Sequence, residues 1–432
     1  MINNILIDLE KGFSFISQIS LEQRAQIIKK TAELLEKEAE EFIFSLCQEI
    51  FKPKKQAEFE VKETIDFLKL CSETYLNKKD IYNSLDSNLE FKTINEPLGI
   101  VVAISAYNFP LIVSANKIAP ALIAGNSVFF KPSPKAINTS KKFAELFLKA
   151  GLNQLCLLTL NISNQDLQEL CSNPRIAFVN FTGSAQIGWQ LKTLIRPQIP
   201  CIFELGGNAP VIVHKDANIK KAAESCALGA FSFSGQSCIS TQRVYVHKEI
   251  INNFEFELIK ATKKLKIANA FEEDTDFSDM ISEEAVKKIH EKVLEAINSG
   301  AEIILGGKIL NKISSKCYSP TIIKNVNENL SIMQEEIFGP VLCLNTYENL
   351  EEVIKKANNS NFGLSAGIFT KDLSLGENIA KQLDFATVMI NNSSAFRSNK
   401  IPVPTRKFSG IGTEGIIDSV NLMSKRKVII RN

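Results

Sequence analysis

The sequence predicts an α/β protein built around a doubly wound parallel sheet, on three observations. Short apolar runs alternate with helical segments from Gly99 onward, the pattern of strands joined by crossover helices. The runs carry no polar alternation, as strands buried on both faces require. At 432 residues the chain exceeds one simple core, so two domains with appendages are expected.

The elements follow in order. Ser20-Leu-Glu-Gln23 is a capping box, and Ala25, Ile28, Ala32 and Leu35 recur at helical spacing after it. This predicts helix over 21–51, then over 56–76 beyond the Pro53 break. Residues 77–97 are polar and lack a helical period, and they read as an extended connection or hairpin. Strands are expected at 99–104 (GIVVAI), 127–131 (SVFFK), 156–160 (CLLTL), 176–181 (IAFVNF) and 210–214 (PVIVH). Helices are expected at 138–150, stopped by Gly151, and at 184–194. A second αβ series runs from Ala217 to Ile390, with no internal repeat and no low-complexity linker.

Composition narrows the function classes. Fifty basic and 48 acidic side chains leave a formal charge of +2, which gives no reason to expect nucleic acid or an anionic membrane as partner. Nine scattered cysteines without a C-x-x-C pair, and only three histidines, argue against a disulfide framework and a structural zinc. They fit a reducing, cytoplasmic compartment. The N-terminus has no basic segment followed by a long apolar run, so no signal peptide is read there. The most apolar stretch, 98–130, is interrupted by Asn108, Pro110, Lys117 and Pro120, against a membrane span.

Gly410-Ile-Gly-Thr-Glu-Gly415 fits the dinucleotide fingerprint G-x-G-x-x-G letter for letter. The fingerprint needs a strand before it and a βαβ unit after it. Here a polar, turn-like run precedes it and too few residues follow, so it reads as a glycine-rich turn. Other stretches carry more chemistry. Cys238 in Gly235-Gln-Ser-Cys238 is either a thiolate nucleophile at a turn or an ordinary small core residue. Glu204, ending an apolar run before Gly206-Gly207, is a general base or a solvated acid. Asn108 in Tyr107-Asn-Phe-Pro follows a strand, where its amide can face a developing oxyanion or simply make a turn. "FKPSP" (130–134) and "FTGSAQIG" (181–188) each lie where a strand ends, and the free N–H groups of the second can hold a pyrophosphate.

Taken in order, "YNFP", "FKPSP", "FTGSAQIG", "ELGGNAP", "GQSC", "EEIFGPV" and "KFSGIGTEGI" resemble the aldehyde dehydrogenase superfamily over nearly the whole chain. The resemblance implies a Rossmann-type cofactor domain (1–78 and 98–206), an α/β catalytic domain (207–410) and a β oligomerisation arm (79–97 and 411–432). It implies Cys238 as nucleophile, Asn108 with the Cys238 N–H as oxyanion donors, and Glu204 as the base that activates hydrolytic water. The family's acylating members generally lack that base, so a free carboxylic acid is the expected product. Cofactor contacts fall on Ile104, Ser105, Tyr107, Lys131, Ser133, Gly183, Ser184, Ile187, Leu205, Gly206, Glu336 and Phe338. Lys117 matches a lysine kept near the site, with an electrostatic role. The expected partner is a small-molecule aldehyde, and the expected assembly a homodimer or homotetramer. No metal is implied.

Three departures qualify the match. Pro134 stands where NAD-preferring members often carry glutamate, so NAD is expected with NADP admitted. Pro404-Thr405 replaces a usual glycine pair near the substrate mouth. The start is short of the family pattern by about forty residues, within domain-size scatter. The contexts of Cys238 and of 390–402 resemble the lactaldehyde and phosphonoacetaldehyde branch, with Arg397 at the channel entrance. Lactaldehyde or glycolaldehyde is the expected substrate. The alternatives are a phosphorylated aldehyde such as glyceraldehyde-3-phosphate, and a catalytically impaired, truncated member.

Overall fold

The computed structural model describes residues 1–76, 83–84 and 89–432. Six strands form a first sheet, in the order Gly410–Ile411, Cys201–Glu204, Ile176–Thr182, Ile100–Ile104, Ser127–Lys131 and Leu157–Thr159. All neighbours run parallel except Gly410–Ile411, which pairs antiparallel with Cys201–Glu204. Side chains alternate between the two faces, as the twofold strand period demands. Val101, Ala103, Val128 and Phe130 enter one core. Ile100, Val102, Ile104 and Phe129 enter another. Helices Leu21–Lys37, Ala39–Ile50, Lys54–Leu76, Pro110–Ala124 and Ile137–Lys149 cover the first face. Helices Ile2–Ile16, Asn164–Ser172 and Ala185–Leu194 cover the second.

The second sheet has seven strands, in the order Glu302–Leu305, Thr321–Lys324, Val341–Tyr347, Thr241–His247, Ala209–Val213, Ser365–Phe369 and Thr387–Ile390. Its pairs are parallel apart from the antiparallel edge at Glu302–Leu305. The run at 210–214, grouped by periodicity with the strands of the first sheet but within the 207–410 that the resemblance assigns to the catalytic domain, lies here. A buried apolar run says that a strand exists but not which sheet receives it. Among the described residues no helix is long and apolar enough to cross a membrane.

Three further differences have local causes. The expected helix over 21–51 breaks at Glu38 (φ −97°, ψ 14°), which lets the apolar stripes on either side of the break face one core. Ile2–Ile16, not foreseen as helix, buries Ile2, Ile5, Leu6, Leu9, Gly12 and Ile16 on one side. Gly410–Ile411 and Thr413–Glu414, read as a turn, are short strands, the second paired with Val403–Pro404.

A three-stranded sheet stands apart, formed by Asn83–Ser84, Glu90–Pro97 and Ser424–Arg431. Of the segment assigned to an arm from the sequence, 79–82 and 85–88 lie outside the described residues. The helix Ile416–Leu422, placed with that arm by sequence, packs Ile416 and Val420 into the core of the first sheet.

Candidate active site

The site gathers between the two sheets' connecting loops. Asn108 follows the carboxyl end of Ile100–Ile104, just ahead of the helix Pro110–Ala124, where ligands collect in open α/β sheets. Its Nδ2 donates to the carbonyl of Gln236 at 3.0 Å. The Gln236 side chain ties in two more segments, since its Oε1 accepts from the Tyr107 hydroxyl at 3.2 Å and from the Ile281 N–H at 3.0 Å. Two residues on, Cys238 is partly accessible.

The approach to Cys238 is strained. Phe233 and Ser234 hold φ of 50° and 54°, a left-handed conformation that costs a non-glycine residue about 1–2 kcal/mol. Gly235 continues it at φ 67°, and a Cβ there would stand 2.2 Å from the Gly339 carbonyl oxygen. Glycine is therefore the residue that lets these two loops touch. At Gly207 a Cβ would stand 2.1 Å from the Cys238 carbonyl oxygen. The chain leaving Glu204 thus runs in backbone contact with Cys238.

Electrostatics bind the same groups. Burial, opposed by Arg397 and helped by Glu336 and Glu204, pushes the Cys238 thiol up to about 12. Burial, and then the Glu414 carboxylate, hold the Glu204 carboxyl well above its usual range against Arg397 and Lys117. Glu414 and Lys117 form a buried ion pair at 2.9 Å, and the Lys117 amine also donates to Asn180 Oδ1 at 2.8 Å. A cavity of about 310 Å³ is lined by Ile239, the residue after Cys238, and by Met389, Phe396, Arg397, Ile401 and Val403, among others. Arg397 is the one cation lining it among the described residues.

The residues expected to hold a dinucleotide fall at the carboxyl ends of the first sheet's strands or on the loops facing them. Ile104 and Lys131 end neighbouring strands and pair in register. Ser105 is buried with its hydroxyl unpartnered among the described residues. Burial lowers the Lys131 amine, and no carboxylate pairs with it among the described residues. Ser184 caps the helix Ala185–Leu194 by position, yet its side chain makes no capping bond, so that helix's first N–H groups stay available for an anion. Gly183 donates its N–H to the Glu204 carbonyl at 3.2 Å. Ile187, in the helix's first turn, is exposed. The Leu205 N–H donates to the Ser409 carbonyl at 2.9 Å.

Glu336 reaches across to Gly206-Gly207, accepting the Gly207 N–H at 3.0 Å, and burial pushes its carboxyl up to about 7. Phe338 stacks edge-on against Tyr107 with centroids 6.0 Å apart. Ser133 instead caps the turn Pro134–Ala136. The unpartnered Ser105 hydroxyl, the unopposed Lys131 amine and the uncapped helix together fit a dinucleotide phosphate and its ribose.

Sequence reading missed Gln236, Glu414 and Lys135. Gln236 lies inside the "GQSC" motif and drew no notice beside the cysteine. Glu414 was hidden in the glycine turn. Lys135 follows Pro134, and its amine stands 5.2 Å from the Tyr107 ring centre.

A model of the aldehyde dehydrogenase family matches residues 3–429. The 3-sulfolactaldehyde dehydrogenase of Priestia aryabhattai is 34% identical over 423 residues, covering 95% of this chain and 86% of that protein. The lactaldehyde dehydrogenase of Methanococcus maripaludis is 35% identical over 426 residues, covering 98% and 90%. Among solved structures, glyceraldehyde-3-phosphate dehydrogenase GapN from Methanocaldococcus jannaschii, complexed with NADP, superposes with a TM-score of 0.94 at 31% identity, covering 99% of this chain and 93% of that one.

Proposed function

The chain belongs to the aldehyde dehydrogenase family and is an NAD(P)-dependent oxidoreductase acting on aldehydes, and from this premise we propose that it oxidises a small hydroxyaldehyde, lactaldehyde or glycolaldehyde, to the carboxylic acid. Cys238 attacks the carbonyl carbon through sulfur, forming a thiohemiacetal whose oxyanion is met by the Asn108 amide and the Cys238 N–H. The nicotinamide, when bound, would supply the acceptor for the hydride that leaves the thiohemiacetal carbon, and the oxyanion pair then re-forms the C=O bond to give a thioester on Cys238. Glu204 then takes a proton from water as that water attacks the thioester carbonyl, and the Cys238 sulfur leaves. Its raised affinity for a proton suits a base that must accept one from water.

The observation that carries this reading is the backbone contact between Gly207, three residues beyond Glu204, and Cys238, with Arg397 close enough to lower the proton affinity of both Glu204 and Cys238. Substrate size follows from the cavity, which lies at the small end of ligand pockets. A single guanidinium would leave one charge of a phosphate dianion unopposed, which favours the hydroxyaldehyde over the phosphorylated alternative.

Lys131, Ser184 and the helix behind it take the ribose and pyrophosphate, and Glu336 the nicotinamide ribose. NADP is accepted beside NAD, because no acid stands at Pro134 to repel a 2′-phosphate and Lys135 lies next to it. The domain roles follow: 1–78 with 98–206 binds cofactor, 207–410 carries Cys238, and the arm (79–97 and 411–432) pairs two copies. A working thiol suits a reducing, cytoplasmic compartment.

The test is reduced-nicotinamide formation with lactaldehyde, glycolaldehyde and glyceraldehyde-3-phosphate, each with NAD and NADP. Turnover should favour the unphosphorylated aldehydes and fall by roughly four orders of magnitude or more in Cys238→Ala. Activity that survives that substitution, or silence across the panel, would sink the reading.

A further inference from the structure

Lys52 and Glu60 are fully buried and form an ion pair. Neither belongs to the site described so far. Burying two charges is expensive and often contributes no net stability. The Lys52 amine lies 3.7 Å from the Phe109 ring centre and 4.6 Å from that of Phe233. The two rings meet edge-on, 6.1 Å apart. Phe109 immediately follows Asn108, and Phe233 opens the left-handed stretch that leads to Cys238.

The Glu60 carboxylate works on the same two segments. One oxygen takes the Lys52 amine, while the other accepts the Leu111 N–H at 2.9 Å, in the first turn of the helix that begins behind Asn108. A third tie runs through the backbone. Phe51, itself at φ 55°, gives its carbonyl to the Ser278 hydroxyl, and the Ser278 carbonyl accepts the Ser234 hydroxyl at 2.6 Å. Three strained non-glycine residues, Phe51, Phe233 and Ser234, therefore meet around one buried cation.

We propose that Lys52 is a positioning residue of the oxyanion site: its ammonium, held by Glu60 and clasped between Phe109 and Phe233, fixes the Asn108 segment against the turn that carries Cys238. The proposal rests on the reading of Asn108 and Cys238 given above. Cation–π attraction supplies the clasp, since each ring presents its negative face to a desolvated cation. A neutral side chain of the same length fills the volume but does not draw the two rings together.

The experiment compares the parent with Lys52→Met/Glu60→Gln. This double variant removes both charges and leaves an acceptor for the Leu111 N–H. Its melting temperature and its affinity for NADPH should stay close to the parent's. The single-turnover burst of reduced nicotinamide should slow by about 10- to 100-fold, through kcat with little change in the aldehyde KM. A burst within twofold of the parent would overturn the proposal. So would a double variant that loses its fold, because the pair would then be a stability element alone. Cys238→Ala in the parent background separates the two levels. A burst that survives it overturns the reading of the site, and the proposal with it.

Discussion

At Cys238 and Glu204 the reactive form is the anion, and burial disfavours the anion at both. An acid whose proton affinity is raised yields more of its anion as pH rises, so kcat/KM should climb from neutral into alkaline pH. Arg397 opposes burial at both groups. Arg397→Leu should therefore move the rising limb of the pH–rate profile upward and slow the reaction at neutral pH, by about tenfold for each pK unit. A profile left in place would show that the guanidinium acts elsewhere. The residues legible in the sequence, Cys238, Glu204 and Asn108, each share a short motif with a glycine or proline two or three positions away, where backbone geometry and side chain are read together. Lys52 and Glu60 were not legible. Eight positions apart and oppositely charged, they look like a solvated pair, and only the packing of Phe109 and Phe233 around them buries the charge.

Among the elements, Asp216 shows how the second sheet's strand ends are joined. Leaving the strand Ala209–Val213, it accepts from His214 Nδ1 at 2.7 Å, the Thr370 hydroxyl at 2.9 Å and the N–H groups of Lys371 and Asp372 at 3.0 and 3.2 Å. Partial desolvation raises the carboxyl, but these bonds outweigh it and hold the group down at about 2. A depressed acid stabilises the fold above its unfolded value, and that contribution is lost as pH falls through the folded one. The loss from this group should fall between about pH 4 and 2. Asp216→Ala should cost about 1–3 kcal/mol, because the freed donors lose their acceptor. Denaturant melts at pH 7 and pH 2.5 check both points, since the gap between parent and variant should narrow at the lower pH.

Elements of this kind were well marked where one local signal sufficed. The Ser20 box forms as read, with the Gln23 N–H donating to Ser20 Oγ at 3.1 Å and the Ser20 N–H to Gln23 Oε1 at 3.0 Å. Ser127–Lys131 holds the bounds its apolar run marked. Ile2–Ile16 was not read because its stripe is interrupted by Gly12, a poor helix former. That glycine packs against the backbone of Leu155, a contact that sequence cannot display.

For the whole molecule, the arm is the exposed feature. Ser424–Arg431 pairs along its length with Glu90–Pro97 and forms the sheet's edge, with Val428 and Ile430 57% and 60% exposed. Apolar side chains on an edge strand favour pairing with another chain. Val428→Lys/Ile430→Lys should shift the assembly toward monomer while the two large sheets stay folded, which sedimentation and circular dichroism together would show. An unchanged sedimentation coefficient would remove the arm from the interface. The long reach of the tail has another effect. Glu204 receives its outer neighbour only from Gly410–Ile411, and Glu414 meets Lys117 from 297 positions away. Synthesis delivers these residues after every other strand of the two large sheets. The surroundings of Glu204 are therefore completed from far along the chain, by a strand and a carboxylate more than 200 positions beyond it.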